Sequence, residues 1–193
     1  MDHAQGVVSS KTPSGRSRTI SNPVIGDTVT FIEATEEGGG RRIILEIELA
    51  AGGGNPMHVH LYQTETFKVL HGRLNVVVAG RSLTLAEGEE ATAEPRAPHR
   101  FFAAADAGVR FQVTVLNPGR LEDGLRILYG LSRDGQAPSG IPRNPLVLAL
   151  GSQMSDMYIA ALPLWFQIGL FRPLAAIARR LGYERKLTRY LTA

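Results

Sequence analysis

The chain has 193 residues, 44% of them hydrophobic and 20% charged, with a formal net charge of +3 and no cysteine. That is enough apolar residue for one domain with a real core, and it excludes disorder, a disulfide framework and thiolate chemistry. Six of the basic groups (Arg172, Arg179, Arg180, Arg185, Lys186 and Arg189) follow residue 171 against a single acid, Glu184, which leaves a near-neutral body with a basic tail. This is not the broad positive surface of a nucleic-acid binder, and no nucleic-acid partner is expected.

Residues 1–22 are rich in Ser and Gly, lack the apolar core of a secretory signal and are expected to be a loose N-terminus, with His3 inside it. From Asp27 to Asn117 the pattern is that of strands. "RRIILEIELA" places Ile43, Leu45, Ile47 and Leu49 on one face and Ile44, Glu46 and Glu48 on the other. "RLNVVVAGRSLTL" reads as a hairpin in which Leu74, Val76 and Val78 alternate, Ala79-Gly80 turns, and Leu83 and Leu85 return. "VRFQVTVL" alternates Val109, Phe111, Val113 and Val115 with polar residues. Several short strands separated by glycines predict an all-β barrel or sandwich over residues 23–118.

Past Pro118 the period becomes helical. Leu121, Leu125 and Leu128 share a stripe. Asn144 is placed to cap a helix opened by Pro145, with Leu146, Leu150 and Met154 inward. Pro173 is expected to open another, with Leu174, Ile177, Ala178 and Leu181 inward and Gly182 as its stop. Residues 119–193 thus predict a helical C-terminal extension with too little core to stand alone. It is expected to pack on the barrel or on a second copy. The uncharged run Met157–Phe171 falls short of a spanning helix and is broken by Pro163. Trp165 and Phe166 within it are read as packing on the barrel or at a dimer contact, in preference to a membrane surface. A soluble cytoplasmic homodimer is expected, because a small sheet protein has edges to cover.

The chemistry concentrates in "GGGNPMHVHLYQTETFKVLHG", Gly52 to Gly72. His58 and His60, two apart in an extended chain, point to the same face. Glu65 joins them only if a loop or bulge over Leu61 to Gln63 breaks the alternation. A further histidine, His99, follows two prolines and precedes an aromatic strand. Imidazoles with a carboxylate suit one divalent first-row transition metal: Fe, Mn, Ni, Co, Cu or Zn. Four protein ligands on an ion that accepts six leave two positions for substrate and a second molecule. Tyr62, Gln63, Phe101 and Phe111 are candidate pocket residues. His71, beside Gly72, is read as solvent-exposed and given no role.

These residues resemble the cupin superfamily. Its first motif is Gly, five residues, His-x-His, three or four residues, Glu, six residues, Gly, and Gly52, His58, His60, Glu65 and Gly72 satisfy it throughout. In the second motif Gly88, Pro95 and His99 are present. Ala97 stands where a glycine is usual, the Pro-to-His spacing is one residue short, and Ala103 replaces an Asn. The resemblance covers residues 40–117, and the tail is similar to those of small bacterial cupins. It implies a single antiparallel jelly-roll barrel with a metal on His58, His60, Glu65 and His99, and Glu65 as a ligand or as a catalytic base. The implied activity is a metal-dependent enzyme, dioxygenase-like, acting on a small substrate through an enolate, carbonyl or phenolic oxygen. The alternatives are a non-redox isomerase, lyase or cyclase, and a binding protein without turnover.

Overall fold

The computed structural model describes residues 16–37 and 40–192. Its strands are β1 (Thr19–Asn22), β2 (Asp27–Glu37), β3 (Gly40–Leu49), β4 (His58–His60), β5 (Thr64–His71), β6 (Leu74–Val78), β7 (Arg81–Leu85), β8 (Glu90–Ala93), β9 (His99–Phe102), β10 (Val109–Leu116) and β11 (Met157–Ile159). The helices are α1 (Leu121–Arg133), α2 (Pro145–Ser155), α3 (Leu164–Arg180) and α4 (Tyr183–Leu187), followed by a short 3₁₀ turn at Thr188–Tyr190. Residues 19–22, expected to belong to a loose N-terminus, form β1, with Ile20 and Asn22 buried. The segment before residue 16, His3 included, lies outside the described residues.

Two antiparallel sheets form the jelly roll, one in the order β1-β2-β3-β10-β5-β8 and the other in the order β11-β4-β9-β6-β7. Alternation explains the pairing. In β3 and β10 every second residue (Ile43, Leu45, Ile47, Leu49; Val109, Phe111, Val113, Val115) turns into the core between the sheets. The expected hairpin is present. Val78 pairs with Arg81, and Ala79 and Gly80 both take positive φ (49° and 80°), the requirement of a tight two-residue turn with the strands' own twist. Leu85 is buried, but Leu83 is exposed, because β7 is the outer strand of its sheet.

The helical extension packs on its own barrel. α1 bridges two apolar clusters: Leu121 and Tyr129 belong to the barrel core, Ile127 and Leu131 to the core built with α2 and α3. Fully buried Arg126 ties α1 down, donating to Glu122 (2.9 Å) and to the Ser17 carbonyl (2.6 Å) beneath the Phe31 ring. Asn144 caps α2 as expected, accepting from the Leu146 and Val147 amides.

Two expectations fail here. Pro173 lies inside α3; the helix opens after Pro163, and burial of Phe171, Ala175 and Ala178 carries it past the missing amide. The buried stripe shifts accordingly, leaving Ile177 and Leu181 exposed. Of the two placements expected for Trp165 and Phe166, packing on the barrel of the same chain is not seen, Trp165 being 75% exposed. No helix among the described residues is long and apolar enough to cross a membrane.

Helix contacts in the extension depend on absent side chains. A Cβ on Gly130 of α1 runs into the Tyr190 ring, and Tyr190 is anchored through its hydroxyl on Asp134. Gly130→Ala is expected to cost about 1–3 kcal/mol by overpacking, read by urea unfolding. Gly151→Ala in α2, where a Cβ meets nothing within 4 Å, is the opposite-sign control. It is expected to stabilise by about 0.5–1 kcal/mol through helix propensity.

Candidate metal centre

The ligand-bearing residues come from three strands on both sheets. His58 and His60 occupy the ends of β4, His99 opens β9 directly opposite His58, and Glu65 lies on β5 in the facing sheet. Residues 61–63 form the expected break, so Glu65 shares the inward face of β5 with Phe67. All four side chains are buried, and one ligand atom from each lies within 4.8 Å of the others.

Each imidazole is held at its outer nitrogen by a backbone carbonyl. His58 Nδ1 meets Pro56 O, His60 Nδ1 meets Asp156 O, and His99 Nδ1 meets Ala97 O, all at 2.9 Å. A carbonyl only accepts, so each Nδ1 carries the proton, and in the neutral ring Nε2 presents a lone pair to the centre. His60 Nε2 is 3.4 Å from Glu65 Oε1 and His99 Nε2 is 3.3 Å from Glu65 Oε2. Neither nitrogen makes a directed hydrogen bond, and both are buried. Buried, unpartnered nitrogens around a carboxylate are what a cation satisfies. The donor set of three nitrogens and one carboxylate therefore fits a divalent first-row metal.

The electrostatics agree. Burial drives the His58 imidazole down to about 3, helped by its two histidine neighbours, so it stays neutral and available. Burial alone raises the Glu65 carboxyl, but His60 and His99 beside it hold it well below the usual carboxylate range. Burial likewise opposes charge on His60, and the Glu65 carboxylate outweighs it and raises that imidazole. A proton on His60 thus answers the buried negative charge where a metal ion otherwise does, so proton and metal compete.

His58 and Glu65 open onto a cavity of about 160 Å³ between the barrel and the extension. Its walls are mostly apolar, with Leu45, Ile47, Val113 and Phe101 on the strands and Leu125 and Leu128 on α1. Of the candidate pocket residues, Phe101 lines it. Tyr62 is 64% exposed and does not, because the turn that admits Glu65 swings it outward. Gln63 is buried but spends its amide on the Pro118 and Ser155 carbonyls (3.2 and 3.0 Å), clamping the ligand loop to the extension. Phe111 is plain core, stacked edge-on against Phe101. His71 is exposed beside Glu87, as expected.

Sequence reasoning missed β11 and Asp156. β11 pairs antiparallel with β4, opposing Met157 to His60 and Ile159 to His58. Asp156, in the left-handed conformation that ends α2, offers its carbonyl to His60 and its carboxylate to the Tyr62 amide (2.8 Å). The only signal was the uncharged "MYIA" run after a helix, too short to betray a strand.

A second polar group faces the same cavity. Asp27 alternates with Val29 and Phe31 on the inward face of β2, and Tyr129 of α1 donates its hydroxyl to Asp27 Oδ2 at 2.5 Å. Burial pushes the Asp27 carboxyl up to about 6, against the Tyr129 bond that favours its ionised form. Burial and the Asp27 charge raise the Tyr129 phenol well above its ordinary range. Because Asp27 binds its proton more tightly folded than unfolded (3.8), the folded state gains at low pH and loses that gain as pH rises from about 4 through 6. Two units correspond to roughly 3 kcal/mol. Asp27→Asn, which keeps an acceptor for Tyr129 but does not titrate, is expected to gain about that much on wild type between pH 4 and pH 7 in urea unfolding.

An antiparallel jelly roll that gathers three imidazoles and a carboxylate at the base of an apolar cup defines a small metal-site barrel protein. Residues 45–116 match the family described as the cupin domain. Among solved structures it is similar to Rru_A2000 of Rhodospirillum rubrum, a cupin-2 domain, at 19% identity over 56% of this chain and 66% of that one (TM-score 0.42). It is also similar to the polyketide cyclase RemF of Streptomyces resistomycificus, at 26% identity over 47% of this chain and 65% of that one (TM-score 0.42). A third is KdgF of Halomonas sp., at 14% identity over 57% and 94% (TM-score 0.46). The chain thus spans just under two thirds of the first two, 66% and 65%. No curated protein matches the sequence.

Proposed function

We propose that this protein is a mononuclear metal-dependent enzyme, dioxygenase-like, acting on a small and mostly apolar organic molecule. The observation that carries the reading is the convergence of three carbonyl-locked imidazoles and Glu65 on one buried point at the edge of an apolar cavity. His58, His60, His99 and Glu65 are the residues that would hold the ion. Bound there, a divalent metal supplies polarisation of an enolate, carbonyl or phenolic oxygen and, if redox-active, the activation of dioxygen.

The chain's own residues supply the rest. Pro56, Ala97 and Asp156 fix the imidazole tautomers through their carbonyls, so no ring has to turn over when the site fills. The Glu65 carboxyl, held ionised by its two histidine neighbours, is better suited to ligation than to general-base work, which is most effective with a group that titrates near the working pH. The walls formed by Leu45, Ile47, Val113, Leu125 and Leu128 exclude water from the reacting end and favour an apolar substrate body.

The test is elemental analysis of the purified protein followed by oxygen uptake against enolic and phenolic compounds. One equivalent of a first-row metal and substrate-dependent oxygen uptake are expected. Bound metal without oxygen uptake, but with proton exchange at a carbon beside a carbonyl, moves the reaction to an isomerase, lyase or cyclase. Absence of metal under chelator-free conditions overturns the enzyme reading in favour of a binding protein.

A further inference from the structure

The metal ligands account for one end of the cavity's chemistry and leave a buried acid unexplained. Asp27 is 4% exposed and lines the same cavity as His58 and Glu65. Its Oδ2 is taken by Tyr129, while its Oδ1 is buried without a hydrogen-bond partner. Among the described residues no hydrogen bond or ion pair links Asp27 or Tyr129 to the four ligands, so the pair is not a prop for the metal site.

A buried carboxylate oxygen left unpaired is costly, and a leucine in its place costs nothing of the kind. The other polar residues of the wall, Asn55, Ser152 and Ser155 among them, make no hydrogen bond with it. A donor brought in by a ligand can. Burial lifts the Asp27 carboxyl only to about 6, so at neutral pH it is mainly an acceptor. Tyr129 fixes its orientation from α1, and both residues lie outside the matched span 45–116. Cavity size bounds the ligand. An apolar cavity of about 150 Å³ accommodates a single six-membered ring, and this one measures about 160 Å³.

We propose that Asp27, oriented by Tyr129, is a second anchor of the substrate site, and that the substrate is a molecule of about one ring carrying a hydroxyl for Asp27 Oδ1 besides the oxygen that meets the metal. Asp27 sets specificity by binding and takes no part in bond making. This rests on the reading of His58, His60, Glu65 and His99 as the metal site where that oxygen binds.

The test uses the full chain loaded with Co(II), whose visible spectrum reports a carboxylate arriving at the ion, with calorimetry for affinity. The probes are benzoate, 3- and 4-hydroxybenzoate, and the corresponding methylbenzoates. One hydroxybenzoate is expected to bind at least about tenfold more tightly than its methyl counterpart, the worth of one charge-assisted hydrogen bond. Asp27→Leu is expected to bring that ratio to about one and Asp27→Asn, which keeps shape and the Tyr129 bond, to reduce it severalfold. In both, benzoate still shifts the cobalt spectrum. A wild-type ratio near one, or a ratio that survives both substitutions, with the spectrum responding to carboxylates, overturns the Asp27 assignment while sparing the metal reading. A cobalt spectrum indifferent to every probe overturns the metal reading and the proposal with it. A complex structure guards against a leucine variant that does not fold, since a ligand hydroxyl placed away from Asp27 Oδ1 also refutes the assignment.

Discussion

His60→Ala is expected to lower metal affinity at least about a hundredfold and to leave the barrel folded. Loss of a group that merely orients a ligand already costs ten- to a hundredfold, and His60 is itself one of the four converging groups. The same holds for His58→Ala. The barrel survives because its stability comes from the alternating apolar residues of β3, β5, β6 and β10, none of which depends on the site. Removing His60 also leaves Glu65 without one of its two imidazole neighbours, at 3.4 Å, so Glu65 takes up a proton more readily in the variant. Metal content by mass spectrometry and secondary structure by circular dichroism check both halves; an unfolded metal-free variant contradicts the second.

Removal of residues 119–193 is expected to have a larger effect, abolishing both metal binding and a soluble, cooperatively folded barrel. The cut takes away β11, leaving the backbone of β4 unpaired on one side. It removes the Asp156 carbonyl from His60 and one of the two carbonyls that hold Gln63. It strips α1 from Phe31 and from the cavity and leaves Asp27 without Tyr129. Exposed strand edge and apolar surface together predict aggregation. Size-exclusion chromatography and dye binding to exposed apolar surface check it. A monodisperse truncated barrel that still takes up metal contradicts the dependence.

Much of this was legible because the relevant signals are local. The alternation in β3 and β10 and the tight turn at Ala79-Gly80 are each written within ten residues, as is the Asn144-Pro145 helix start. The ligand set was legible for the same reason: His58 and His60 share a face by period, and the break at residues 61–63 followed from needing Glu65 there. What escaped was set by distant partners. β11 is three residues long and exists because β4 offers it an edge. Tyr62 and Gln63 both leave the expected pocket because Asp156 and Ser155 meet that loop from almost a hundred residues away. Pro173 was read by the rule that proline starts a helix, and the packing of Phe171 and Ala175 overrides it. Asp27 drew no attention, since one acid at the head of an apolar strand has no pattern to announce it.

The pairing of β11 with β4 also bears on how the protein is made. A growing polypeptide that has reached Asn117 already contains all four ligands, yet it lacks the carbonyl that decides which nitrogen of His60 keeps its proton. That carbonyl is synthesised last of the three that lock the imidazoles, at position 156. The arrangement that turns the His60 Nε2 lone pair toward the other three side chains is therefore complete only once position 156 has been made and β11 has paired with β4.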